Sequence, residues 1–424
     1  MHPEPDDTAG PGPLAVALAG LVALAVAMGI GRFAFTPLMP MMLAEHLVDL
    51  PGAGALASAN YLGYLAGALG CMLQPWAARR LGRGGEVDAP RLVRAGLLAT
   101  GALTLVMALP WPALWPLWRF AAGVASAVVL VYTSGWCLAT LSRQGAGMRG
   151  GVIYAGPGAG IVVSGLAAGA MLAAHWSAAI GWMVFGSLAF VLTALVWPVF
   201  REPPRRAAGV AAASSSAEEP VASDAPGVEF PLLACVYGLA GFGYIITATF
   251  LPVIAREALP GSAWIDLFWP LFGAAVVTGA LLASRLSPQG DRRLRLAAAY
   301  AMQAAGIAVS LAWPTLPGFI AGSLLLGLPF TAITFFTMQE VRRLRPKAVA
   351  SAMGLATVLY GIGQIVGPLL VAALLRRAPS AHDGFGWALA TAAVALLAGM
   401  VVLLGLWRRH AGSAGGTGST TSSS

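Results

Sequence analysis

Two arginines stand where a charge is hardest to keep. Arg32 lies in the run GIGRFAFTPLMP (29–40) and is the only charged residue between Asp7 and Glu45. Arg119, in WPLWRFAAG, is the only one between Arg94 and Arg143. A charge within hydrocarbon costs at least about 2.5–3.5 kcal/mol on insertion scales, so such residues usually face a bundle interior or a watery cavity. A guanidinium offers a planar fork of donors that fits carboxylate and phosphate bidentately. Neither run carries a carboxylate, so the chemistry on offer is recognition of an anion. The plainer reading is structural. Arg32 could snorkel outward or bond carbonyls freed by Pro37, and Arg119 could cap an interface among Trp111, Trp115 and Trp118.

Uncharged polar residues in the apolar runs add hydrogen-bonding capacity: Asn60, Tyr64, Tyr132, Tyr244, Thr247, Tyr360 and Gln364. Each could hold a ligand, and each could equally join one helix to the next. Proton coupling inside a membrane calls for a titratable group, and Asp266 and Glu340 are the candidates. Both sit near the ends of apolar runs, and Arg342 and Arg343 beside Glu340 point to a salt bridge there. The five histidines lie in tails or connections, without metal-like spacing to cysteine or carboxylate. No H-E-x-x-H, G-x-S-x-G or G-x-x-x-x-G-K-[ST] motif occurs, which argues against an enzyme and an ATP-driven pump alike. No metal or cofactor is expected. Cys71, Cys137 and Cys235 fall in apolar runs and read as small packing residues.

The elements that must position these groups follow from composition. The chain has 424 residues, 58% hydrophobic and 10% charged, where a soluble domain carries about 25% charge. That predicts an all-α polytopic membrane protein. The formal charge of +8 does not imply nucleic acid, because the basic residues punctuate apolar spans rather than clustering on a soluble face. Spans are expected at about 14–38, 54–78, 92–110, 112–141, 150–174 and 179–200. Six more follow at about 230–255, 264–284, 294–313, 316–340, 349–375 and 384–407. Residues 1–13 are acidic and proline-rich, so the run from Leu14 reads as a first span rather than a cleaved signal.

Arginine sets the orientation. Connections after even-numbered spans hold Arg79, Arg80, Arg83, Arg143, Arg149, Arg201, Arg205, Arg206, Arg285, Arg292, Arg293, Arg295, Arg342, Arg343, Arg345 and Lys347. Those after odd-numbered spans are nearly bare, with Arg256, Arg376 and Arg377 as exceptions. The positive-inside rule then puts both termini in the cytoplasm. Five segments result: a cytoplasmic N-terminal tail (1–13), a six-helix bundle (14–200), a flexible cytoplasmic linker (201–228), a second six-helix bundle (229–407) and a disordered tail (408–424).

The two bundles echo each other. Gly29-x-Gly31 precedes Pro40 as Gly241-x-Gly243 precedes Pro252, with nine residues from the second glycine to the proline in both. Gly156-Pro157 has a counterpart in Gly367-Pro368, 211 residues on. Paired glycine- and proline-interrupted segments point to a transport site. Helix breaks or gating points are therefore expected at these residues and at Pro37. The Gly63/Gly67 and Gly363/Gly367 pairs read as close helix packing.

These motifs carry a family resemblance. GIGRFAFTPLMP, ANYLGYLAG (59–67), YAGPGAG (154–160), GYIITATFLP (243–252) and YGIGQIVGP (360–368) resemble the YbfB/YjiJ-type branch of the major facilitator superfamily. Arg80-Leu81-Gly82-Arg83 fits the R-x-G-R core of the superfamily's loop motif, but Arg79 stands where that motif has aspartate. The resemblance implies two pseudo-repeated six-helix bundles, alternating access, a central cavity lined by spans 1, 4, 7 and 10, and a bacterial inner membrane.

By helical rise, Arg32 lies roughly 27 Å along span 1 and Arg119 roughly 12 Å from the outer end of span 4. Both would then sit in the outer half of the membrane. The reading is a secondary or facilitative transporter, working as a monomer in the bilayer, for a small organic anion. An exporter of amphipathic or lipophilic compounds is the alternative, and a non-transporting sensor or scaffold a second.

Overall fold

Lipid supplies no partner for a backbone amide, so an apolar run of membrane length folds as a helix. The computed structural model describes residues 11–80, 88–201, 228–262, 264–285, 291–346 and 349–415. Among them are 12 helical spans long and apolar enough to cross a membrane. The first six are Pro13–Ala44, Leu50–Gln74, Ala89–Val106, Pro112–Arg143, Arg149–Ala173 and Ala178–Val196. The second six are Glu229–Ala258, Ile265–Arg285, Arg292–Ala312, Leu316–Leu344, Ala352–Arg377 and Ala381–Arg409. The described residues contain no strand. The loop motif beyond Arg80, the linker over 202–227 and the tail beyond 415 lie outside the described residues.

Apolar side chains gain little by leaving lipid for one another, so helices in membranes pack through small residues. In the first half span 2 packs on span 4, and span 3 on spans 4 and 6; in the second, span 11 packs on span 7 and span 9 on span 12. The halves meet where span 2 lies along span 11 and span 5 along span 8. The motif glycines sit at helix crossings. A Cβ on Gly29 would lie 2.3 Å from the Gly160 Cα, and one on Gly156 2.3 Å from the Leu21 carbonyl oxygen, both between spans 1 and 5. Gly241 and Gly367 play the same part between spans 7 and 11, against Tyr360 and Ile245. Gly31 abuts Thr100, and Gly243 abuts Leu396. Of the cysteines, Cys137 is buried but Cys235 is exposed, which departs from its expected packing role; all three are free thiols.

The expected helix breaks are only partly where the prolines are. Span 1 runs as α-helix over Pro13–Leu24, loosens to a π-helix over Ala25–Ile30, turns, and resumes as α-helix over Phe35–Ala44. Pro40 lies inside that last helix, so the interruption precedes Pro37 rather than following it. A proline removes the amide that would serve the carbonyl four residues earlier, and the disturbance therefore falls one turn upstream. Pro157 opens the helix Gly156–Ala173, after a 3-10 segment over Gly147–Ala155. Pro252 and Pro368 lie within continuous helices, Glu229–Ala258 and Val349–Arg377. Of the two Gly-x-Gly…Pro copies, only the one in span 1, which carries Arg32, is interrupted.

Candidate functional site

The freed carbonyls explain Arg119. Pro37 has no amide for the Phe33 carbonyl, so the Thr36 amide bonds it instead at 3.1 Å. Thr36 would otherwise have served the Arg32 carbonyl. That oxygen accepts from Arg119 Nη2 at 3.2 Å, and the Gly31 carbonyl accepts from Arg119 Nη1 at 3.3 Å. The π-turn repeats the pattern. The Gly31 amide reaches back to Val26, and the Ala27 carbonyl accepts from Ser126 Oγ at 2.7 Å. Arg119 is 2% exposed, its guanidinium 4.8 Å from the Phe35 ring centroid, and its own carbonyl accepts from Asn60 Nδ2 at 2.9 Å. It faces inward onto span 1, not outward among the tryptophans.

Arg32 is held differently. It is 3% exposed, and its guanidinium lies 4.2 Å from the Tyr64 ring centroid, 4.9 Å from Tyr61 and 5.3 Å from Phe33. Nη2 donates to Gln364 Oε1 at 2.6 Å, and Gln364 donates onward to the Tyr244 hydroxyl. Nε is buried without a partner. No ion pair among the described residues involves Arg32 or Arg119. Desolvating a charge costs several kcal/mol, and a desolvated cation–π contact returns about 2 kcal/mol. Three ring faces and one amide offset part of that cost.

Four side-chain hydrogen bonds join the two halves among the described residues, all in the half of the spans nearer the arginine-poor end. Besides Arg32–Gln364, Thr36 Oγ1 donates to the Ala248 carbonyl at 3.1 Å, Ser58 Oγ donates to the Ile365 carbonyl at 3.1 Å, and the Tyr61 and Thr249 hydroxyls share a bond of 2.9 Å. The Ala248 oxygen is available because Pro252, four residues on, has no amide.

The structure gathers Arg32, Tyr64, Tyr244, Tyr360 and Gln364, with Asn60 behind them on Arg119. Tyr360 stacks on Tyr244 with ring centroids 5.9 Å apart and on Tyr237 at 4.4 Å. Thr247, one turn past Tyr244, is buried with its hydroxyl unpartnered. Tyr132 is not brought in, since it lies 13 residues beyond Arg119, about 20 Å along span 4. Nor are the two carboxylates. Asp266 pairs with Arg256, and Glu340 pairs with Arg293 at 3.0 Å and Arg343 at 2.7 Å. The ring faces around Arg32 belong to spans 1 and 2 and the acceptor to span 11, while span 4 contributes Arg119 and span 10 contributes Phe330. Tyr61, Phe33, Tyr237 and Phe330 were absent from the expected set; the last meets Tyr244 edge-on at 4.8 Å. Tyr61 and Tyr64 are spaced i, i+3 in ANYLGYLAG, which already puts both on one helix face.

A family model described as "Uncharacterised MFS-type transporter YbfB" matches residues 24–404. A chloramphenicol resistance protein of Streptomyces lividans is 29% identical over 377 residues, covering 84% of this chain and 88% of its own. Among solved structures, the nucleoside transporter NupG superposes with a TM-score of 0.69 at 15% identity, over 92% of this chain and 99% of that one. A D-xylose-proton symporter gives 0.65 at 13% identity, over 92% and 97%.

Proposed function

Because this chain belongs to the YbfB-type family of major facilitator transporters, we propose that it carries a small organic anion by alternating access, with Arg32 as the anion's partner. The observation that carries this is a buried guanidinium whose polar partner is a neutral amide. A carboxylate or phosphate offers two oxygens to the fork where Gln364 offers one. The incoming anion takes the place of Gln364 Oε1 on Arg32. The exchange releases a bond between the two six-helix bundles and so couples binding to their separation. Arg119 acts through the backbone of Arg32, holding the broken turn in place, and the stacked Tyr244 and Tyr360 flank the exchanged amide. The arginine-rich ends face the cytoplasm of a bacterial inner membrane, and the four cross-bundle bonds close the outward half.

A second reading, export of amphipathic compounds, draws on the chloramphenicol resistance relative and on the aromatic faces of Tyr61, Tyr64, Tyr244 and Phe330. The two separate in one experiment. Purified protein is screened by thermal shift against carboxylates, phosphates and lipophilic cations, and the hits are followed as flux in proteoliposomes. Saturable flux of a carboxylate or phosphate supports the anion reading; stabilisation and flux confined to neutral or cationic amphiphiles replaces it with export. A reporter fused after Arg205 should score cytoplasmic, and a periplasmic signal reverses the orientation.

A further inference from the structure

A second basic site lies far from Arg32, where the start of span 3 meets the end of span 6 at the arginine-rich end. A cavity of about 240 Å³ opens there, lined by Asp88, Arg91, Arg94, Trp197, Phe200 and Arg201. Among the described residues that line it, three guanidiniums meet one carboxylate. Asp88 is already engaged, accepting from the Arg91 amide at 3.0 Å as helix cap and pairing with Arg91 Nε at 2.9 Å. Arg94 and Arg201 enter no ion pair among the described residues. Arg94 lies with its guanidinium 4.8 Å from the Trp197 ring and one terminal nitrogen on the Trp197 carbonyl at 3.2 Å. Its Nε is buried with no partner.

The exposed apolar surface of the same two spans indicates what fills it. Leu98, one turn from Arg94, is 41% exposed, and Val191 and Leu195 on span 6 are 65% and 70% exposed. Apolar side chains this open on membrane-spanning helices are wetted by acyl chains. A ligand with its tail on such side chains and its head in the cavity is an amphiphile with an anionic head. Basic pockets between spans on the cytoplasmic side suit such heads, and the guanidinium fork suits their phosphate oxygens. We infer that the Arg91–Arg94–Arg201 cavity is a binding site for the phosphate head of an anionic glycerophospholipid. The inference is independent of what the transporter carries.

The test uses full-length protein in a neutral detergent, titrated with phosphatidylglycerol, phosphatidylcholine or inorganic phosphate. Bound lipid is counted by native mass spectrometry and unfolding is followed by thermal melting. Phosphatidylglycerol should bind saturably and raise the melting temperature, while phosphatidylcholine and inorganic phosphate at equal concentration should not. Arg94→Gln should weaken phosphatidylglycerol binding about tenfold, as expected for one charge-assisted bond, and Arg91→Gln or Arg201→Gln roughly fivefold. Arg408→Gln, at the end of span 12, should leave it unchanged. If Arg94→Gln fails to fold, the exposed Arg91 and Arg201 variants carry the test. Wild-type lipid retention in the folded cavity variants overturns the site, and a shift that inorganic phosphate alone reproduces in wild type and that is lost in those variants overturns the lipid as its source.

Discussion

Arg32 Nη2 donates to Gln364 Oε1 at 2.6 Å, joining residues 332 positions apart, and Gln364 is itself held by Tyr244. One neutral amide therefore occupies the fork of a buried cation and ties span 1 to span 11. If the anion and this amide compete for the same nitrogen, removing the amide should favour the anion. Gln364→Leu is expected to tighten anion binding about tenfold, the worth of one hydrogen bond to a charged group. Isothermal titration checks the sign. Weaker binding in that variant would make Gln364 a ligand contact rather than a placeholder.

Arg119 should behave as a strut. Arg119→Ala orphans the carbonyls of Gly31 and Arg32, at about 1–3 kcal/mol for each buried group. A clear fall in melting temperature is expected, larger than that of Arg32→Ala. Arg119→Lys should not recover it, because a single ammonium cannot reproduce a fork that reaches both oxygens. Equal melting of the Arg119→Ala variant and wild type would remove the strut.

How much of this was legible in the sequence differs by scale. Hydropathy placed twelve spans because lipid allows an apolar run no other fold. The burial of Arg32 followed from its place in such a run. Of the four residues expected to break span 1, Gly29 and Gly31 lie in the interruption while Pro37 and Pro40 lie in the helix after it, because a missing amide disturbs the carbonyl one turn earlier. The Arg32–Gln364 bond was not legible as a pair. Both residues were picked out as polar in apolar runs, but nothing local aligns span 1 with span 11. Arg119 was ambiguous for a related reason: tryptophans flank it in sequence, yet it lies on the buried side of span 4.

The carboxylates at the bundle ends give a third expectation. Arg293 is buried and held by Glu340, Glu229 and the Leu406 carbonyl. Glu340→Gln breaks one buried pair, and removal of a partner from such a pair costs about 3–5 kcal/mol. Thermal stability should fall, while anion affinity and the response of flux to an imposed proton gradient stay as in wild type. A folded Glu340→Gln or Asp266→Asn transporter that no longer responds to the gradient would mark that carboxylate as a coupling group.

Gly29 gives a purely steric prediction. With a Cβ only 2.3 Å from the Gly160 Cα, Gly29→Ala pushes span 1 off span 5, and overpacking of this kind costs about 1–3 kcal/mol. Melting temperature should drop by an amount that Gly70→Ala, where no atom lies within 4 Å, does not reproduce. Equal melting of the two variants would mean that spans 1 and 5 pack less closely than this.

The most direct measurement is isothermal titration of wild type, Arg32→Ala and Arg32→Lys with the carboxylate or phosphate that most stabilises the wild type. With Arg32 as the anion's partner, the alanine variant should bind at least about tenfold more weakly, and lysine should recover part of the loss as charge without the fork. A folded Arg32→Ala protein that binds the same anion with wild-type affinity would contradict it.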